Sequence, residues 1–348
     1  MTSARDFGLC IGRLPTGPLN AITDIAGVTV GHHTVRDGGA ATGVTAILPH
    51  SGNLFRRKVR AGVEIINGFG KSVGLMQVAE LGTVETPILL TNTFGVGNCA
   101  NVLIHRAITD NPEIGRRTST VNPLVFECND GEINDIQALH VRAEHALAAL
   151  GDAHGGPLAQ GAIGAGTGMT AFGFKAGIGT ASRTMQIGGH EHLLGALVLA
   201  NFGNAGDLVL PDGRRPDPRG MEQAEKGSVI VILATDLPLG DRQLRRVARR
   251  AGAGLARLGA FWGNGSGDIA LCFTTADMVE HEPPTPFQPI RHLAEGRIDI
   301  PFRAAAEATQ EAVLNALCAA APAVGRSGRH FPSLADWLKE NPLPRRSF

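Results

Sequence analysis

The sequence predicts a single mixed α/β domain, and three observations predict it. Segments with period-two apolar spacing alternate with segments whose apolar residues recur every three or four positions. No internal repeat, low-complexity run or interdomain linker interrupts the 348 residues, so residues 1–348 are assigned to one domain. The composition, 43% hydrophobic and 18% charged with a mean hydropathy of +0.04, is that of a chain able to bury a core.

Residues 20–50 read as strand, turn, strand: Gly27-Val-Thr-Val-Gly-His-His, then Asp37-Gly-Gly at the turn, then Gly43-Val-Thr-Ala-Ile-Leu. A helix is predicted from Asn134 to Leu150, where Ile136, Leu139, Ala143, Leu147 and Leu150 share one stripe and Gly151 supplies the stop. Ser228-Val-Ile-Val-Ile-Leu-Ala is an apolar strand. A second amphipathic helix follows from Asp241 to Leu258, with Leu244, Val247, Ala248, Ala251 and Leu255 on one face. Its other face carries Arg242, Arg245, Arg246, Arg249 and Arg250 and reads as a solvated face or a contact between copies. The Gly-rich loop Ala260-Phe-Trp-Gly-Asn-Gly-Ser-Gly then leads into a strand, Asp268-Ile-Ala-Leu-Cys-Phe-Thr-Thr. An Ala-rich helix spans Phe302 to Ala320. Residues 322–348 read as a Pro- and Arg-rich surface tail with a helical turn or two around Leu334 to Lys339.

Charge and length exclude several function classes. Lys and Arg (32) balance Asp and Glu (32), so no basic field exists for phosphates and nucleic acid is not an expected partner. Apolar stretches such as Leu194 to Phe202 fall short of the 18 or more residues that cross a bilayer, so no membrane is expected either. The start, Met-Thr-Ser-Ala-Arg-Asp-Phe-Gly, lacks the pattern of a secretory signal, and the expected location is cytoplasmic. Five cysteines, Cys10, Cys99, Cys128, Cys272 and Cys318, are odd in number with no C-x-x-C pair, and read as buried reduced thiols. The 46 glycines, nearly twice the usual share of about 7%, call for tight turns or close backbone approaches.

The chemistry-bearing residues sort as follows. His190-Glu191-His192 and the His140/His145 pair match no zinc spacing, and no metal is expected. Gly164-Ala-Gly-Thr-Gly168 departs from the dinucleotide fingerprint, because its last glycine comes too early and strand-like residues follow, so no nucleotide cofactor is expected. Gly263-Asn-Gly-Ser-Gly-Asp reverses the nucleophile elbow of a serine hydrolase: a turn leads into a strand. That topology suits a different device. The Ser266 hydroxyl attacks the preceding carbonyl, an N-to-O shift follows, and hydrolysis frees Ser266 as a new N-terminus. Its α-amine, with an ordinary pKa of about 7.7 to 8.0, can then act as the base for its own hydroxyl. Taken alone, Asn-Gly-Ser-Gly-Asp is a turn in most proteins, so the residues by themselves leave both readings open.

A set of longer strings extends the second reading: Ile22-Thr-Asp-Ile-Ala-Gly-Val-Thr-Val-Gly-His, Thr42-Gly-Val-Thr-Ala-Ile-Leu-Pro-His, Ile66-Asn-Gly-Phe-Gly-Lys, Glu80-Leu-Gly-Thr-Val-Glu-Thr-Pro-Ile-Leu-Leu-Thr-Asn-Thr and Glu127-Cys-Asn-Asp-Gly. Gly177-Ile-Gly-Thr-Ala-Ser-Arg, Ala200-Asn-Phe-Gly and Gly263-Asn-Gly-Ser-Gly-Asp complete it. In this order the set resembles the DmpA family of aminopeptidases, peptidase family S58 (or P1), over roughly residues 10 to 320. That family includes L-aminopeptidase D-amidase/esterase and the β-peptidyl aminopeptidases.

The resemblance implies a four-layer αββα sandwich of the N-terminal-nucleophile hydrolase type, and a precursor that cuts itself between Gly265 and Ser266 into chains 1–265 and 266–348. It makes Ser266 the nucleophile, Asn201 the side-chain donor to the oxyanion, and Glu127 the holder of the substrate's free amino group. Some members carry a tyrosine two positions beyond that glutamate; here Asn129 stands there, and the chain has no tyrosine. The family's hydroxyl-x-Glu pair, which tunes the nucleophile, reads as Thr309 and Glu311; a shift of one gives Ala308 and Gln310 instead.

The expected function is a self-processing serine aminopeptidase. It removes N-terminal residues from short peptides, amino-acid amides or esters through an acyl-enzyme at Ser266, without cofactor. The resemblance further implies homo-oligomers of processed pairs, often four. The alternatives are an acyltransferase or pantetheine-type amide hydrolase on the same fold, or an uncut protein that binds small molecules or peptides.

Overall fold

In the computed structural model, residues 2–218, 227–288 and 290–343 are described. The first half runs through β1 (Thr29–Val35), β2 (Thr42–Leu48), β3 (Arg57–Gly68), α1 (Leu75–Leu81), β4 (Thr83–Val84), β5 (Ile88–Asn92), α2 (Val96–Asp110), β6 (Leu124–Cys128) and α3 (Ala143–Gly151). The second half opens with a short hairpin, β7 (Thr170–Ala171) and β8 (Phe174–Lys175), followed by β9 (Ile178–Ile187), β10 (His190–Asn201) and β11 (Ser228–Thr235). It continues with α4 (Asp241–Arg249), α5 (Ala251–Ala256), β12 (Gly267–Glu280), α6 (Asp299–Cys318) and α7 (Leu334–Glu340).

Two sheets result, a four-stranded one in the order β1-β2-β5-β6 and a six-stranded one in the order β4-β3-β12-β11-β10-β9. Within them β5/β6 and β11/β12 are parallel, and each parallel pair is joined by the helical crossover such pairing demands. Val30, Ile47, Leu90 and Phe126 of the small sheet face Leu197, Leu199, Ile230 and Leu271 of the large one in a shared core. The outer face of the small sheet (Val44, Ala46, Leu89) packs on α2 and α3 through Cys99, Leu103 and Ala146. The outer face of the large sheet (Val198, Val229, Val231, Cys272) packs on α4, α5 and α6 through Leu244, Ala251 and Ala312. The order of layers is helix, sheet, sheet, helix, as the resemblance implies. Burial on both faces explains why Ser228 to Ala234 reads as one continuous apolar run.

The glycine surplus has a packing reason. A Cβ on Gly179 would lie 1.9 Å from the carbonyl oxygen of Ala312, and one on Gly62 would lie 2.2 Å from the backbone nitrogen of Arg245. Bare backbone lets α6 and α4 settle directly on the large sheet.

Several elements differ from the sequence reading. The helix expected from Asn134 begins only at Ala143. Asn134 is buried and turns inward, accepting from Ala41 N–H at 3.1 Å and donating to Asp130 Oδ1 at 3.0 Å, and Leu139 sits at φ 50°. A side chain that bonds locally outcompetes the helix start. The buried face of α3 is accordingly Ala146, Ala149 and Leu150, with Leu139 and Leu147 exposed. The helix expected from Asp241 to Leu258 is two helices, divided at Arg250, and α5 contains the poor helix formers Gly252 and Gly254. The tail is not merely superficial: α7 buries Leu334 and Leu338 in the helix-side core, and Ser333 caps it by accepting from Ala335 N–H at 3.2 Å. Four cysteines are buried as expected, but Cys10 is exposed. Four arginines of that face pair within the chain, Arg245 and Arg249 on Glu64, Arg242 and Arg246 on Glu295, so two carboxylates offset part of its charge. No helix among the described residues is long and apolar enough to cross a membrane.

Candidate active site

One row crosses the large sheet at the end where Ser266 lies. Asn201 on β10 pairs with Ser228 on β11, Ser228 with Gly267 on β12, and Gly267 with Gly68 on β3. At about 4.8 Å per strand, Asn201 and Gly267 stand roughly 10 Å apart. Opposite Asp268 and Ile269, β3 bulges at Ile66, so that Asn67 pairs with Asp268 and Ile65 with Ile269. Such a bulge re-aims a side chain, here that of Asn67.

Ser266 is fully buried at the foot of β12. Its N–H donates to Gly263 O at 2.9 Å, and Asn67 Nδ2 donates to Gly263 O at 3.0 Å and also to Ser266 O. Phe69 N–H reaches Ser266 O at 3.3 Å. The hydroxyl donates to Asp268 Oδ1 at 2.7 Å, and Gly267 N–H donates to Ser228 Oγ at 3.1 Å. Of these bonds the one from Ser266 N–H lies on the Gly265–Ser266 peptide where the cut is expected, and the others hold the Ser266–Gly267 peptide, the Ser266 hydroxyl and the Gly263 carbonyl.

Asn201 is oriented from both ends of its amide. Oδ1 accepts from Thr170 N–H at 3.0 Å, and Nδ2 donates to the carbonyl of Asn129 at 2.9 Å. This assigns the amide's direction and engages one of the two Nδ2 protons. The loop that presents Thr170 is pinned by Lys175, whose buried Nζ donates to the carbonyls of Gly166, Met169 and Ala176. Burial, aided by the charge of Arg36, pushes the Lys175 ammonium down to about 7.

Glu127 comes from the other sheet, on β6, where it pairs with Thr91 of β5 and is buried. Its Oε1 accepts from Lys71 N–H at 2.7 Å and its Oε2 from the Thr93 hydroxyl. Thus Phe69 N–H holds the carbonyl of Ser266 while Lys71 N–H, two residues on, holds the carboxylate of Glu127. Two residues of extended chain span about 7 Å. Asn129 reaches the site through its carbonyl, because its side-chain Oδ1 is turned to Gly131 N–H at 2.9 Å.

Glu311 lies elsewhere. Glu311 accepts from Arg183 Nη2 at 2.6 Å, Arg5 Nη2 at 2.8 Å and Asn20 Nδ2 at 2.6 Å. Burial alone would raise its carboxyl pKa, but Arg5, Arg183 and Asn20 outweigh burial and hold it below the ordinary carboxylate value. Arg183 pairs with Leu194, seven positions before Asn201 on β10, which puts this cluster roughly 23 Å along the strand from the row. Thr309 is buried with its hydroxyl unpartnered, near Gly254 of α5. Of the alternative pair, Ala308 belongs to the helix-side core and Gln310 is buried. No hydrogen bond among the described residues joins Thr309 or Glu311 to Ser266.

The structure thus gathers Ser266, Asn201, Glu127 and the carbonyl of Asn129, and adds residues that sequence reasoning missed: Asp268, Asn67, Thr93, Ser228 and Thr170. The first three stand inside strings already singled out, which was the available signal. Ser228 and Thr170 gave none beyond membership of a strand. Among the described residues no group of three or more His, Cys, Asp or Glu is placed to hold a metal ion.

Comparison with known proteins extends this geometry. The chain is 37% identical over 352 aligned positions to the beta-peptidyl aminopeptidase BapA of Sphingosinicella microcystinivorans, covering 93% of this chain and 87% of that one. A crystal structure of a Pyrococcus horikoshii protein is similar with a TM-score of 0.90 and 43% identity, covering 97% of this chain and 98% of that one. The L-aminopeptidase D-Ala-esterase/amidase of Ochrobactrum anthropi is described as a prototype of the serine aminopeptidases and a new variant of the Ntn hydrolase fold. Its structure matches with a TM-score of 0.88 and 36% identity, covering 99% of this chain and 100% of that one. The fold is of that variant. Residues 20–331 match the sequence pattern of peptidase family S58, and with most of its length so matched, on a site assembled from both sheets, the chain belongs to peptidase family S58.

Proposed function

We propose that this chain is a self-processing serine aminopeptidase that acts on short peptides, amino-acid amides or esters. The observation that carries the reading is the stretch Phe69–Lys71, which links the carbonyl of Ser266 to the carboxylate of Glu127 through two backbone N–H groups. A nucleophile and a carboxylate held so close suit a substrate whose free ammonium lies within one residue of the bond to be cut. A charge-assisted bond to that ammonium rewards a terminal residue over an internal one.

In this reading the Gly265–Ser266 bond is cut first, giving chains 1–265 and 266–348. The freed α-amine of Ser266 then takes the proton from its own Oγ, and Oγ attacks the substrate carbonyl. The second Nδ2 proton of Asn201 donates to the developing oxyanion, a contribution of about 3 kcal/mol. The amine returns the proton to the leaving group, and water hydrolyses the acyl-enzyme. By family likeness the processed pairs assemble with one another.

The test is an intact mass under denaturing conditions combined with an assay on an aminoacyl amide. Fragments of about 28 and 9 kDa from the 36.3 kDa chain, with amide hydrolysis, are expected, and Ser266→Ala should give one uncut and inactive species. An uncut wild-type chain without hydrolysis would instead favour a binding protein.

A further inference from the structure

The proposed maturation leaves one proton unassigned. In the mature enzyme the α-amine of Ser266 serves as base, but in the precursor that nitrogen is an amide whose lone pair is delocalised into the Gly265 carbonyl. It cannot accept the proton that Ser266 Oγ must lose to attack. A second group has to act once, before the amine exists.

The geometry points to Asp268. Its Oδ1 accepts directly from Ser266 Oγ at 2.7 Å, and both residues are fully buried. Asn67 Nδ2 and Phe69 N–H hold the carbonyl of Ser266, and Ser266 N–H is held on Gly263 O, so the turn is fixed while the hydroxyl is aimed at a carboxylate. We infer that Asp268 is the catalytic base of self-cleavage, a role distinct from turnover; the inference rests on the self-processing reading above.

The step balances. Asp268 takes the proton from Oγ as the Oγ–C bond to Gly265 forms, giving a tetrahedral oxyanion. Collapse breaks the C–N bond, and the carboxylic acid returns its proton to the departing nitrogen, leaving an ester at Ser266 Oγ and a free amine. Water then hydrolyses the ester, releasing the Gly265 carboxylate and regenerating the hydroxyl. No oxidant, metal or second substrate is needed.

Maturation of full-length wild type, Asp268→Asn and Asp268→Glu, followed by intact mass after cell-free synthesis, tests the inference. Asparagine keeps the shape and the oxygen that accepts from Ser266 Oγ but is no base, so a purely structural role would survive it. Expected is maturation at least about 100-fold slower in a folded Asp268→Asn chain, with cutting restored in part by Asp268→Glu. A folded Asp268→Asn chain that matures at the wild-type rate overturns the inference and leaves the self-processing reading intact. If the asparagine variant does not fold, the glutamate variant decides: cutting supports Asp268 as base, and a folded chain that stays uncut overturns it. A wild-type chain that never cuts removes both readings together.

Discussion

Arg183 donates through Nη2 to Glu311 Oε2 at 2.6 Å, with neither side chain exposed. The same guanidinium donates to the carbonyls of Ser182, Ile11 and Glu307, so one cation ties β9, the N-terminal segment and α6 together. Removing one partner of a buried pair strands the other charge, typically at a cost of about 3–5 kcal/mol. Glu311→Ala is therefore expected to lower the unfolding free energy by an amount of that order, read as a lower denaturant midpoint. The pH sign follows from the lowered carboxyl pKa. The unfolded state takes up its proton at higher pH than the folded state, so the stabilisation is present above the ordinary carboxylate range and is lost as pH falls through the folded value. The stability gap between wild type and Glu311→Gln should narrow in acid. A gap that stays constant down to the acid transition would contradict this.

Glu127→Gln keeps an oxygen to accept from Lys71 N–H and an NH2 that can donate to the Thr93 hydroxyl, but loses the charge proposed to hold a substrate ammonium. A hydrogen bond to a charged group is worth about 1.5–3 kcal/mol, so kcat/KM on an aminoacyl amide should fall roughly 10- to 150-fold. Maturation has no ammonium to hold and should proceed normally. Equal loss of maturation and hydrolysis would count against the assignment.

Asn201→Ala removes the Nδ2 group whose second proton is proposed to meet the oxyanion. The expected loss is about 100- to 1,000-fold in kcat with KM nearly unchanged, the pattern of a donor that matters mainly in the transition state. A change confined to KM would place Asn201 in substrate binding.

Thiol titration under native conditions should find one reactive cysteine, Cys10, which is exposed. Burial pushes the Cys99 thiol to about 12 and, with help from Asp6, that of Cys318 to about 12; it also raises those of Cys128 and Cys272. Thiolate is the reacting form, so these four should respond to a disulfide reagent only after unfolding. A Cys10→Ser chain that still reacts at the native rate would refute this.

The sequence disclosed the site better than it disclosed some helices, and the reason is physical. Ser266, Asn201 and Glu127 stand at strand ends where turn geometry and chemistry restrict neighbouring residues, so short contiguous strings carry them. The helix from Asn134 misled because periodicity cannot register that Asn134 bonds to Asp130 and Ala41. Glu311 is harder still. Its partners Arg5 and Arg183 lie 306 and 128 positions away, and only the folded chain brings them together. Asp268 needed no such distance; it was visible two residues from Ser266, but its aim depends on the turn before β12.

The seat of β12, flanked by β3 on one side and β11 on the other, bears on what a cut before it would do. The severed chain would remain clamped in the middle of the large sheet, with α6 laid over β9 and β10 of that sheet. Before such a cut, refolding is unimolecular and independent of dilution. After it, the two pieces must find each other, and association carries a translational entropy cost that the precursor never meets. Maturation at this bond would thus convert a reversible folder into an assembly whose recovery from denaturation depends on concentration, so that its working lifetime is set by how slowly it first opens.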